Sequence, residues 1–321
     1  MWFWLSLIAL LCWSGSDLFS KIGCRDEDDS LSHLKMVIAV GVVMGLHAAY
    51  EIFVGGTEIS FAIILTYLPV SLLYISSMTL GYLGLRYIEL SVSSPICNSS
   101  GALVAVMTLA FLGGEDYSPL AIFAVILVCV GAIGLGVVDA TEDPELRAAR
   151  QAEGNHKYAK SFLALALPVA YCLLDAAGTF ADNRVLETLT AQAFDSGMYA
   201  TLKECAKQAA ASANCAYELT FLFAAVVSFI YVVLIRKNSL VPKREAPKYL
   251  GAVCETAGQF AYIYAIADTE HLAMSAPIIS SYCAASVLWS RLFLKEKLSW
   301  KHYAMIALVV IGIAIMGVFD I

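Results

Sequence analysis

The sequence predicts an all-α polytopic membrane protein, with ten transmembrane helices arranged as two inverted-topology repeats of five. Three observations predict it. The 321-residue chain is 60% hydrophobic and only 15% charged, with a mean hydropathy of +0.75, where a soluble domain carries about a quarter charged residues. The charges fall in short bursts between apolar runs of about 18–22 residues, the length that crosses a bilayer as helix. One stretch also occurs twice. HLAMSAPIISSYCAASVLWSRLFLKEKLSWKHYAMIALVVIGIAIMGVF, from His271, echoes ELSVSSPICNSSGALVAVMTLAFLGGEDYSPLAIFAVILVCVGAIGLGVV, from Glu89. Pro95 and Pro277, and Phe111 and Phe293, lie 182 residues apart. After a one-residue slip in the Gly113–Gly114 turn, Glu115 and Glu296, Ser118 and Ser299, and Gly131 and Gly312 lie 181 apart. A proline, a glutamate and a glycine in register mark an internal duplication.

Taken in order, the apolar runs place spans over residues 2–23, 34–54, 63–85, 91–112, 118–138, 161–181, 217–235, 250–267, 272–292 and 300–319. The first has no basic n-region and no small-residue cleavage site, and Leu11 before Cys12 breaks a lipoprotein signal, so it reads as a retained helix. The polar segment 141–160 is a linker between a first repeat, 1–140, and a second, 161–321.

Five spans per repeat is odd, so the repeats must insert with opposite orientation. Of the 20 Lys and Arg residues, 17 lie in or beside the loops after spans 1, 3, 5, 7 and 9, and the other three, Arg184, Lys203 and Lys207, follow span 6. The positive-inside rule then puts the odd loops and the linker in the cytoplasm and both termini outside, with a bacterial plasma membrane as the expected location. The charge of the duplicated turn also swaps, from Gly-Gly-Glu-Asp to Lys-Glu-Lys, as an inverted repeat requires.

Segment 182–216 is then expected to be an extracellular loop with a short surface helix. Seven of the nine cysteines fall within or at the end of apolar runs and read as small apolar fillers. Cys205 and Cys215 lie in the polar connection, where an oxidising compartment allows either a disulfide or two free thiols.

Acids within apolar helices are the most informative polar residues, because a carboxylate at mid-membrane costs a few kcal/mol and usually faces a cavity or a partner. Asp17 and Asp175 correspond at a spacing of 158, each four residues after an aromatic, Trp13 and Tyr171. One turn of helix puts acid and aromatic on one face. For Asp17 the competing reading is an ion pair with Lys21 at i+4. Glu255, Gln259 and Tyr262 share a face and would line water or bond a neighbouring helix. Glu218 and Glu51 sit at span ends and read as solvated interfacial acids, and His47 and His271 as interfacial.

Pro95 and Pro277 each remove a helical hydrogen bond one turn into their spans. The residues that follow, Asn98, Ser99 and Ser100 against Ser280, Ser281 and Tyr282, would build a binding site or pack helices closely. The helical glycines read as close-packing positions, and GAIGLG lacks dinucleotide-loop spacing. There is no HExxH, GxSxG, Walker A or CxxC motif, so catalysis, a metal and a cofactor have no positive support.

Ten spans in two inverted halves, with Phe-Leu-x-Glu-x-Leu-Ser/Thr-x before a glycine-containing last helix, resemble the EamA-type members of the drug/metabolite transporter superfamily. The pattern stands here as FLKEKLSWKHYAMIALVVIGIAIMGV and FLGGEDYSPLAIFAVILVCVGAIGLGV, and Trp13 and Lys21 in the first span are similar to the family's first helix. The resemblance covers nearly the whole chain. It implies a secondary transporter with a central cavity, working by alternating access. The chain departs from it in carrying no cations at the N-terminus or after span 2.

The expected cavity residues are Trp13, Asp17, Asn98, Tyr171, Asp175, Glu255, Gln259, Tyr262, Ser281 and Tyr282. Acids and aromatics without a mid-helix Lys or Arg favour a cationic or zwitterionic solute of amine or amino-acid type. Such an ensemble disfavours a sugar nucleotide. Coupling to protons through Asp175 or Glu255 is a further expectation. The expected partners are the small-molecule solute, the lipid bilayer and a proton, with no nucleic acid. The alternative is a non-transporting membrane sensor or assembly partner acting through the 182–216 loop.

Overall fold

A computed structural model describes residues 1–25, 29–88, 90–111, 118–141, 162–197, 201–295 and 298–319. Among these, every regular element is helical. Helix α1 is Trp2–Cys24, α2 Ser32–Phe53 and α3 Phe61–Tyr87. The next apolar run is two helices, α4 (Leu90–Asn98) and α5 (Ser100–Phe111), followed by α6 (Pro119–Ala140). Helix α7 is Phe162–Asp195, and α8 is Leu202–Phe229, running into a π-helical turn at Ile230–Ile235. Helix α9 is Pro242–Ile266, α10 is Leu272–Ser280, α11 is Tyr282–Phe293 and α12 is Trp300–Phe319. The Glu115–Glu296 pairing, Glu89, the duplicated turn at 112–117 and 296–297, and all of the linker except Thr141 lie outside the described residues.

By length and composition, five described helices can cross a membrane: Trp2–Cys24, Ser32–Phe53, Phe61–Tyr87, Pro119–Val138 and Leu202–Ile235. Their ends follow local chemistry. Ser60 and Ser118 accept the Ile63 and Ala121 amides as N-caps, and Pro119 occupies the first turn of α6, where no amide partner is needed.

The two proline-containing runs break at equivalent points. In the first, the Ser99 amide reaches back to the carbonyls of Pro95 and Ile96, and Ala102 donates to Ser99. In the second, the Ser281 amide reaches Pro277 and Ile278, and Ala284 donates to Ser281. All four residues of the first set sit 182 positions before their counterparts.

The expected loop 182–216 is not a loop. Helix α7 continues to Asp195 and α8 begins at Leu202, leaving only a short connection. Asp182, Asn183, Leu186 and Leu189 are buried along the extension, on the three-to-four-residue spacing of a packed face. A capping box, Thr201 with Glu204, starts α8. The polar composition that suggested a loop belongs to amphipathic helix. Cys205 and Cys215 are both buried and free. They lie ten residues apart on one helix, about 15 Å along its axis, beyond the reach of a disulfide.

Helix pairing sets the architecture. The main pairs are α1 on α9, α3 on α7, α2 on α8 and α6 on α12, while α4 packs on α11 and α5 on α10. At the α6–α12 crossing a Cβ on Gly131 would lie 2.6 Å from Val309 Cγ2 and 2.8 Å from the Met305 carbonyl. A Cβ on Gly312 would lie 2.6 Å from Val128 Cγ2 and 2.8 Å from the Ala124 carbonyl. Each glycine lets the opposing backbone approach, as small residues do between membrane helices.

At one end of the molecule the last turns of α1 and α3 meet the first turns of α2 and α9 in a buried ionic cluster. Lys35 lies 2.7 Å from Asp29 and 3.5 Å from Glu245, and Lys248 lies 2.9 Å from Glu245. Arg86 donates to the Asp29 carbonyl and Asn238 to its carboxylate. Burial pushes the Asp29 carboxyl up. The hydrogen bonds from Lys35 and the Leu31 amide, with the charges of Lys35 and Lys248, outweigh burial and hold its pKa below the ordinary value.

Candidate functional site

One cavity of about 900 Å³, counting the part open to solvent, lies between the helix pairs. Helix α1 contributes Trp13, Ser16 and Asp17, one turn apart or less, so that face points inward. Asn98, at the end of α4, and Tyr282, at the start of α11, reach the cavity from the two helix breaks. Helix α7 contributes Tyr171, Asp175 and Thr179, and α9 contributes Glu255, Gln259 and Tyr262, each set at four-, three- or four-residue steps. Nine of the ten expected cavity residues therefore share one enclosure.

Ser281 is the exception. Its side chain is 1% exposed, and its hydroxyl donates 2.5 Å to the Ile278 carbonyl, so it finishes α10 instead of lining the cavity. The residue before it, Ser280, is the one on the wall. A helix break makes the first free hydroxyl cap its own turn, and sequence spacing cannot say which serine of a pair does so.

The three carboxylates are held differently. Asp17 Oδ2 accepts from Ser94 on α4 at 2.5 Å and from Ser286 on α11 at 2.8 Å. The broken runs thus supply both hydroxyls, and Lys21 donates to the carbonyls of Leu85 and Ile88 at 2.7 Å each. Asp175 Oδ2 accepts from Ser100, the first residue of α5, at 2.7 Å. Glu255 is bonded by Ser16. Each acid remains partly exposed on the wall. No Lys or Arg is among the lining residues.

Aromatic rings form part of the enclosure. Trp13 packs against Tyr262, with ring centroids 5.1 Å apart, and edge-on to Tyr282 at 5.8 Å. Its indole N–H donates to the Glu255 carbonyl at 3.3 Å.

A fourth acid, which sequence reasoning assigned to a loop, sits behind this wall. Asp182 is fully buried. Tyr67 donates to its Oδ1 at 2.6 Å and Tyr74 to its Oδ2 at 3.3 Å. Tyr74 and Tyr262 also bond each other, and both reach Thr179 Oγ1, at 3.2 and 3.3 Å. The network ties α3, α7 and α9 together. Its signal was present: Asp175, Thr179 and Asp182 follow one helical face.

Glu218 is likewise not a solvated interfacial acid. It is fully buried, 2.8 Å from His47 Nδ1 and accepting from Asn214 at 3.1 Å, so it joins α2 to α8. Asp268, Glu270 and His271 bring three potential metal-ligand atoms within 4.8 Å of one another near the start of α10. His271 there is engaged with Asp268 at 2.8 Å and stacks on Trp2 at 4.9 Å.

Residues 196–318 match the EamA-like transporter family, part of the drug/metabolite transporter superfamily, so the resemblance holds over that part of the chain, which includes the second copy of the duplicated stretch. No curated protein matches the chain significantly. One solved crystal structure superposes with a TM-score of 0.59 at 14% identity, covering 98% of this chain and 96% of its own. At that identity the likeness shows a shared fold alone. With the apolar helices, this match indicates an integral membrane protein.

Proposed function

We propose that this protein is a secondary active transporter that moves a small cationic or zwitterionic solute, of amine or amino-acid type, by alternating access. The observation that carries the reading is the cavity: Asp17, Asp175 and Glu255 line it with aromatic rings and without a Lys or Arg. Carboxylates with aromatic faces favour cations by charge and by cation–π contact. A phosphate-bearing solute would find no cation there.

Alternating access needs two halves that can exchange roles. Several packing relations support an inverted repeat of five spans each. The α1–α9 pair has its counterpart in α7–α3, and the α6–α12 and α2–α8 pairs are self-equivalent. The glycine contacts at the α6–α12 crossing are reciprocal at a spacing of 181, and the two helix breaks at 182. The ionic cluster gathers ends of spans 1, 3 and 7 with starts of spans 2 and 8, which fits a cytoplasmic face for the odd loops. The sensor alternative would act through the 182–216 segment, which is helical over residues 182–195 and 202–216.

The first test is thermal stability of the detergent-purified protein against small cations, zwitterions and anions. A ligand of the folded state raises stability as RT ln(1 + [L]/Kd). A dose-dependent rise with an amine or amino acid, lost in Asp175→Asn or Glu255→Gln, is expected; a rise with anions alone defeats the reading. Proton coupling is tested in proteoliposomes. Uptake indifferent to the pH gradient, in wild type and Asp175→Asn alike, removes it.

A further inference from the structure

We propose that the solute is an amine cation that also carries a neutral hydrogen-bond acceptor, and that Gln259 and Tyr82 are the pair that reads the acceptor. The inference rests on the transport reading above and narrows its substrate. Both residues line the cavity. Gln259 is 3% exposed and Tyr82 6%. Neither Gln259 Nε2 nor the Tyr82 hydroxyl has a hydrogen-bond partner in the protein. Buried polar atoms are almost always paired, and unpaired donors on two residues of the cavity lining, one on α3 and one on α9, call for acceptors that come from outside.

Charge decides which acceptor. An amide NH₂ only donates, so its complement is an oxygen or an unprotonated nitrogen. A carboxylate would serve these two donors. It would also share the cavity with Asp17, Asp175 and Glu255, with no Lys or Arg on the wall to offset the like charge. Neutral carbonyl or hydroxyl oxygens satisfy such donors without that cost. Gln259 lies one helical turn beyond Glu255 on α9, so donor and acid present adjacent contacts on one face. A solute with an ammonium and a neutral oxygen a few bonds apart matches that pair. The rings of Trp13 and Tyr282 are available to its apolar body.

Three matched compounds test this in the purified full-length protein: phenylalanine amide, with amine and carbonyl; phenethylamine, with the amine alone; and phenylalanine, the zwitterion. The amide should bind about 5–10-fold tighter than phenethylamine, as one or two net hydrogen bonds allow, and tighter than phenylalanine. In the Gln259→Leu/Tyr82→Phe double variant the advantage of the amide over phenethylamine should disappear. Tyr82→Phe alone, which removes one oxygen, should lose part of the advantage and guards against misfolding of the double variant. Phenylalanine binding as tightly as its amide overturns the proposal. So does equal affinity for amide and phenethylamine in wild type, or an advantage that survives the double variant. In those cases amine or amino-acid binding leaves the transport reading standing. If none of the three binds, this proposal falls, and the panel of cations, zwitterions and anions still decides the transport reading.

Discussion

At the scale of single residues, Asp182 shows how a buried acid can serve structure while its neighbour faces a cavity. Asp175 opens onto the lumen and accepts one serine hydroxyl, whereas Asp182, two turns on, accepts two tyrosines from α3. Removing the carboxylate leaves the buried Tyr67 hydroxyl without its acceptor and takes one partner from Tyr74, and a buried group left unsatisfied costs about 1–3 kcal/mol. Asp182→Ala should therefore destabilise the folded protein by about 3 kcal/mol, and Tyr67→Phe by less, read as lowered apparent melting temperatures. An unchanged melting temperature for Asp182→Ala would show that the network holds nothing together. Nine of the ten cavity residues were legible because helical spacing converts an acid and an aromatic four apart into one face. Asp182 and Glu218 were not, because hydropathy ends a span at the first cluster of polar residues whether or not the helix ends there. The serines that hold Asp17, at positions 94 and 286, come from distant helices and carry no local signal.

At the scale of elements, the α6–α12 crossing is the sharpest place to examine equivalence between the two halves. Gly131 and Gly312 each admit the other helix's backbone at the same reciprocal distances. A methyl at either position forces the pair apart, an overpacking that costs about 1–3 kcal/mol. Gly131→Ala and Gly312→Ala should lower stability by similar amounts. A neutral effect at one and a large loss at the other would show that the crossings are not energetically alike. The breaks at Ser99 and Ser281 were foreshadowed by Pro95 and Pro277, since the missing amide is visible in the sequence; the break itself falls four residues later, where the backbone reforms its bonds. The extent of helix over 182–195 and 202–216 exceeds the short surface helix that the sequence suggested. The segment's alanines and polar residues are helix formers, and only the buried side of the extension reveals what they pack against.

At the scale of the whole molecule, the ionic cluster links stability to acidity. Asp29 has a folded pKa below its unfolded value of about 3.9. Its contribution is present above the unfolded value and is lost as pH falls through the folded one. Stability should therefore decline on the acid side below about pH 4, and Asp29→Asn should flatten that decline. An identical acid limb in variant and wild type would place the sensitivity elsewhere. The sequence's cation bias pointed to this end of the molecule through the positive-inside rule. It gave no hint that Lys35 and Lys248 are buried partners there and not loop charges in water.

Helix α7 runs 34 residues without interruption by a turn, about 51 Å of rod against a hydrocarbon layer of about 30 Å. Asp175 stands on the cavity and exposed Ala191 on the far part of the same rod, about 24 Å further along. A fluorophore attached at Ala191 would ride on a helix that lines the cavity while sitting well clear of it. The geometry thus offers an optical readout of occupancy from a position that need not disturb the cavity itself.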